Sequence, residues 1–114
     1  MPVIITYGVP DDFSEEKLKK LLSNLCGAVQ GELRIGVGEV SAFFPRDRIQ
    51  EGLGEEIIIF VKGFFDKPER TEDIRSHIAK MLVEKTKAFF PKALVECFIE
   101  PFNPKQGFRS MPPQ

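Results

Sequence analysis

Met1-Pro2-Val3-Ile4-Ile5-Thr6-Tyr7-Gly8 opens the chain. Val3 to Tyr7 is β-branched and aromatic, which predicts a strand beginning directly after a proline. Removal of Met1 would make Pro2 the N-terminal residue, with a secondary amine in place of an amide. That nitrogen is a base held on a rigid ring. An ordinary α-amino group titrates near ~7.7–8.0, and partial burial lowers this because desolvation disfavours the charged form. An amine poised near working pH can take and return a proton. The plainer reading is a proline that starts an edge strand, where its missing N–H costs nothing. If Met1 stays, Pro2 is acylated and the catalytic reading ends.

Outward from this stretch, Gly8-Val9-Pro10-Asp11-Asp12 carries turn chemistry. Asp12 or Ser14 can cap a helix whose apolar stripe is Leu18, Leu21, Leu22, Leu25 and Val29, and which is expected to stop near Gly27 or Gly31. A second strand is read over residues 37–44, ended by Pro45, and residues 46–54 as a loop that bears Arg46 and Arg48. Glu55 to Phe65 is almost continuously apolar and reads as a strand buried on both faces. Thr71 can cap a second helix, with Ile74, Ile78, Met81, Leu82, Lys85 and Phe89 near one face and Pro91 ending it. Ala93 to Phe102 reads as a fourth strand, with Val95, Cys97 and Ile99 pointing one way and Glu96, Phe98 and Glu100 the other.

The order is β-α-β-β-α-β, and it repeats. Ile4-Ile5-Thr6-Tyr7-Gly8 leads to a loop, acidic residues and an amphipathic helix. Ile59-Phe60-Val61-Lys62-Gly63 does the same, with Glu72 and Asp73 in the acidic role. Two βαβ units side by side predict an α+β fold, a four-stranded mixed sheet with two helices on one face. Residues 1–102 are expected to form one domain and 103–114 an extended C-terminal arm that reaches toward a neighbouring subunit. The uncovered sheet face is expected to pack against copies of itself in a closed cyclic oligomer, a homotrimer.

The 114 residues suffice for a single core, and the 42% of apolar residues mark a globular chain. Sixteen basic and seventeen acidic residues leave a net charge of −1, so no global positive field exists to attract nucleic acid. Val3-Ile4-Ile5 is too short for a signal peptide, and no apolar run approaches the ~20 residues that span a bilayer. A cytoplasmic protein is expected, with Cys26 and Cys97 as buried thiols. His77, the one histidine, is expected on the surface.

Pro2 at a strand start, the doubled βαβ pattern and a length near this one together resemble the tautomerase superfamily. That family includes 4-oxalocrotonate tautomerase, macrophage migration inhibitory factor and cis-3-chloroacrylic acid dehalogenase. The local likeness is to the dehalogenase branch, at Met1-Pro2-Val3, Ile59-Phe60-Val61-Lys62-Gly63 and Arg70-Thr71-Glu72-Asp73. Phe98-Ile99-Glu100-Pro101 and Gln106-Gly107-Phe108 also look like the family's last strand and tail. The resemblance implies that Pro2 is the catalytic amine and that Arg70 binds a substrate carboxylate, for which a planar guanidinium fork is suited. Glu100 lies where that branch has a strand-four carboxylate. The branch's second arginine is missing, since Asp66 and Lys67 occupy its region. Its helix-one histidine is also missing, with Gly27-Ala28-Val29 in that place.

The expected function is therefore that of a tautomerase acting on small unsaturated 2-hydroxy or 2-keto acids. Pro2 would be the acid–base, with Arg70 and Glu100 as its catalytic partners. Lys62, Arg46, Tyr7 and Phe98 are the expected substrate contacts. Phe43, Phe60, Phe98 and Phe108 would exclude water. No metal or organic cofactor is implied. The other readings are a non-catalytic oligomeric binding module on the same fold, and a hydratase that uses Glu100.

Overall fold

The structure is a computed structural model that describes residues 2–36, 38–46 and 55–113. Its elements are β1 (Val3–Tyr7), α1 (Glu15–Leu33), β2 (Ser41–Phe43), β3 (Glu56–Phe65), α2 (Glu72–Lys87), β4 (Leu94–Phe102) and a short 3₁₀ turn, Pro104–Gln106. The four strands form one sheet in the order β2-β1-β3-β4. β1 pairs in parallel with β2, β3 in parallel with β4, and β1 antiparallel with β3. Each βαβ half thus contributes an adjacent parallel pair, and the halves meet antiparallel through their first strands. The expected α+β architecture, with its mixed four-stranded sheet, is the observed one.

Both helices bury their stripes against one face of the sheet. Ile4, Ile57, Ile59, Val61 and Phe64 from the strands meet Leu21, Leu25, Val29, Ile78 and Leu82 from the helices, each fully buried. Burial of each such side chain contributes roughly 1.5–3 kcal/mol. The N-caps form as the sequence suggests. The Ser14 side chain accepts from Lys17 N, and that of Thr71 from Ile74 N.

α1 runs straight through Gly27 and Gly31 to Leu33, two places where a stop was expected. It ends instead at Arg34, which turns left-handed at φ 54° while its N–H bonds to the Gln30 carbonyl. Burial of Leu25, Ala28 and Val29 outweighs the weak helix propensity of the two glycines. β2 is shorter than expected, Ser41–Phe43. Residue 37 and residues 47–54, which include Arg48, lie outside the described residues. β1 is an interior strand, not the edge strand that the plainer view of Pro2 supposes.

A break in the β3–β4 register positions the site. Pairing shifts between Val61 and Phe64, at Gly63 with φ 63°. Before the shift, Ile57, Ile59 and Val61 alternate into the core; after it, Phe64 does. The extra residue reverses which side chains face inward, as a β-bulge does. Phe64 is thereby sent under the start of α2, and Phe65 to the opposite side.

Candidate active site

Pro2 is buried, and its carbonyl accepts from Ser41 N at 3.1 Å, which pins it to the neighbouring parallel strand. It lines a pocket of about 200 Å³ together with Ile35, Glu39, Phe65, Lys67, Arg70 and Arg109. Three cations and one carboxylate line the pocket with the proline, so it carries a positive balance. Glu39 is itself engaged, accepting from Gly36 N at 3.1 Å.

Arg70 is only 7% exposed. One guanidinium N–H donates to the Phe65 carbonyl at 3.2 Å, and its Cζ stands 5.2 Å from the centre of the Phe64 ring. Both partners come from the stretch that the bulge reorients. Arg75 donates to the Arg70 carbonyl at 2.6 Å, so the first turn of α2 braces the residue from behind. A buried guanidinium held this way is a pre-oriented fork for a carboxylate. A second cleft, of about 660 Å³, shares Ile35, Lys67 and Arg70 and is further lined by Glu32, Arg34 and Glu69.

The other expected site residues lie elsewhere in the chain. Lys62 and Glu100 stand on the open face of the sheet, half exposed, 3.6 Å apart. Lys62 lies 5.4 Å from the centre of the Phe60 ring, an ammonium resting on an aromatic surface. Tyr7, at the far end of β1 from Pro2, meets Phe60 edge-on at 6.0 Å, and Phe60 meets Phe98 at 5.8 Å. Phe43 and Phe98 are exposed on that same face, and neither they nor Phe60 line the Pro2 pocket. Arg46 lines a different cleft, with Val9, Asp11 and Phe13. Strand alternation explains the placement of Lys62, Glu100, Tyr7 and Phe98: they share the sheet face turned away from the helices.

Four pocket residues were not singled out as contacts: Ile35, Glu39, Phe65 and Arg109. Phe65 read as the end of a strand. Arg109 sat in a tail whose path no local pattern specifies.

Cys97 and Cys26 are free and partly buried. Burial pushes the Cys97 thiol up to about 12 and also raises Cys26, so neither is a ready nucleophile. His77 is exposed, its Nε2 3.4 Å from Glu32. Among the described residues, no group of His, Cys, Asp and Glu is placed to hold a metal ion. No helix among them is long and apolar enough to cross a membrane.

Neither a protein-family model nor a curated protein sequence matches the chain. Solved structures do match in shape. A fused 4-OT described as a wild-type symmetric trimer superposes with a TM-score of 0.72, over 89% of this chain and 85% of its own, at 13% identity. The chain has the fold of this 4-OT structure. A domain of unknown function from Sebaldella termitidis also superposes, with a TM-score of 0.71, 96% of this chain and 95% of its own covered, and 16% identity. So does a protein of unknown function from Vibrio cholerae, with a TM-score of 0.70, 95% and 83% covered, and 10% identity. Identities this low speak for the fold alone.

Proposed function

We propose that the chain is a tautomerase in which Pro2, freed by loss of Met1, moves a proton on a small unsaturated 2-hydroxy or 2-keto acid. The observation that carries this reading is the shared pocket: a buried Pro2 faces Arg70 and Lys67. Arg70 holds the substrate carboxylate with its fork. The neutral Pro2 amine takes the proton from the enol oxygen or from the carbon beside the carbonyl. Lys67 stabilises the oxygen on which negative charge develops. The protonated amine then returns the proton to a different carbon. Burial and the surrounding cations both disfavour a charged amine and so favour the neutral base. The active unit is a homotrimer assembled through the open sheet face. The alternative of a non-catalytic binding module rests on retention of Met1, because Pro2 nitrogen is then an amide. A hydratase would need Glu100 at the substrate, and Glu100 is paired with Lys62 on the open face.

The test is intact mass together with ketonisation of phenylenolpyruvate and of 2-hydroxymuconate. The expected protein lacks Met1, and Pro2→Ala lowers kcat/KM by about 10²–10⁴-fold, the usual contribution of a positioned acid–base. Activity of the wild type falls as pH drops through the amine pKa, since protonated Pro2 cannot accept a proton. Equal rates in wild type and Pro2→Ala would remove Pro2 from the mechanism.

A further inference from the structure

The residues after β4 do not leave the domain. Asp66 N donates to the Phe102 carbonyl at 2.8 Å, and the Phe65 and Phe102 rings lie near-parallel with centres 6.2 Å apart. Asn103 then caps the 3₁₀ turn: its side chain accepts from Lys105 N at 3.0 Å, and its carbonyl from Gln106 N at 2.9 Å. The chain reverses and Gly107 lies against the Phe102 ring. A Cβ on Gly107 would come within 2.9 Å of Phe102 Cε2, so a larger residue there would displace that ring. The next residues are Phe108 and Arg109. Arg109 lines the Pro2 pocket, and also a neighbouring groove of about 450 Å³ walled by Phe65, Phe102, Pro104 and Phe108. Phe65 and Arg109 belong to both cavities.

We infer that the C-terminal arm sets substrate choice at the Pro2 pocket. Arg109 is the second guanidinium on the ligand's polar head, and the aromatic groove takes an apolar substituent. The polar pocket is small and holds three cations, which suits a carboxylate with an adjacent oxygen. The rest of a larger ligand must pass the wall formed by Phe65 and Arg109 into a groove built mainly of rings. A phenyl or branched alkyl group is stabilised there, whereas a second carboxylate would lose its water against phenyl faces. The favoured substrate class is accordingly aryl- or alkyl-substituted 2-keto acids rather than dicarboxylates. Naming a substrate rests on the proposed function; the binding preference does not.

Binding of unreactive probes separates the two. Wild-type protein is titrated with 3-phenylpropanoate, acetate and adipate, with amide NMR shifts as readout. Tighter binding of 3-phenylpropanoate than of adipate is expected. Arg109→Ala should weaken 3-phenylpropanoate and acetate about tenfold, with partial recovery in Arg109→Lys, a point charge without the fork. Phe108→Ser should weaken 3-phenylpropanoate and leave acetate unchanged. Phe108 is 96% exposed, so its replacement does not endanger folding. Unchanged binding in Arg109→Ala, or a wild-type preference for adipate, overturns the inference. Loss of turnover in Pro2→Ala alongside unchanged binding in Arg109→Ala sinks the role of the arm and leaves the proton shuttle standing. Intact binding selectivity with no effect of Pro2→Ala on turnover does the reverse.

Discussion

At the scale of single residues, the backbone decides as much as the side chains do. Gly8 leaves β1 at φ 91°, and a Cβ there would collide with the carbonyl oxygen of Glu56 on the neighbouring strand. A non-glycine residue would meet left-handed strain and a backbone that cannot move aside without breaking the β1–β3 ladder. Gly8→Ala should therefore cost about 3 kcal/mol, a large share of a small domain's stability, read as a lower urea midpoint at unchanged slope. A midpoint within error of wild type would mean that the turn relaxes freely. Pro2 drew attention through a local pattern, a proline before a β-branched run, whereas Arg70 was singled out only by the resemblance; the two line one pocket. Arg109 was not legible. Its position depends on the 3₁₀ turn and on one glycine lying flat on a phenyl ring, and neither leaves a periodic trace. Lys62, Tyr7 and Phe98 were grouped with Pro2 on chemical type, but their place follows from strand parity.

At the scale of elements, a local stop signal competes with burial, and burial prevails. Gly27 and Gly31 read as the end of α1, yet the helix continues over them. Neither position requires glycine: a Cβ built at either would meet nothing within 4 Å. Both are exposed, so they cost the helix backbone entropy and return no packing. Gly27→Ala and Gly31→Ala should each stabilise the protein by about 0.4–1 kcal/mol, checked by thermal and urea unfolding. A loss of stability in either would point to a contact on that face of α1 with another copy of the chain. The bulge at Gly63 is the opposite case. There Glu55 to Phe65 read as one nearly continuous apolar strand, and the effect of the glycine inside it was not legible. By reversing strand parity it turns Phe64 into the core and brings the Phe65 carbonyl to Arg70.

At the scale of the whole molecule, the unfinished part is the open face of the sheet. Tyr7, Phe43, Leu94 and Phe98 are 39–57% exposed there, and the Tyr7, Phe60 and Phe98 rings run in continuous contact across it. A monomer seldom leaves so much contiguous aromatic surface in water. The Lys62–Glu100 pair lies on the same face, and burial between subunits would reduce the solvent screening that keeps an exposed ion pair weak. The proposed occupant is two further copies of the chain, closed in a ring, because an open contact of the same kind would propagate into fibres. Light scattering should give three times the monomer mass, and the thermal midpoint should rise with protein concentration. Phe98→Asp places a charge in the centre of that face, on a side chain already 47% exposed in one chain. It should yield a monomer with unchanged helical circular dichroism and a concentration-independent midpoint. A wild type that runs as a monomer at all concentrations would mean that the aromatic face serves a different partner. A Phe98→Asp variant that stays trimeric would move the interface to another surface.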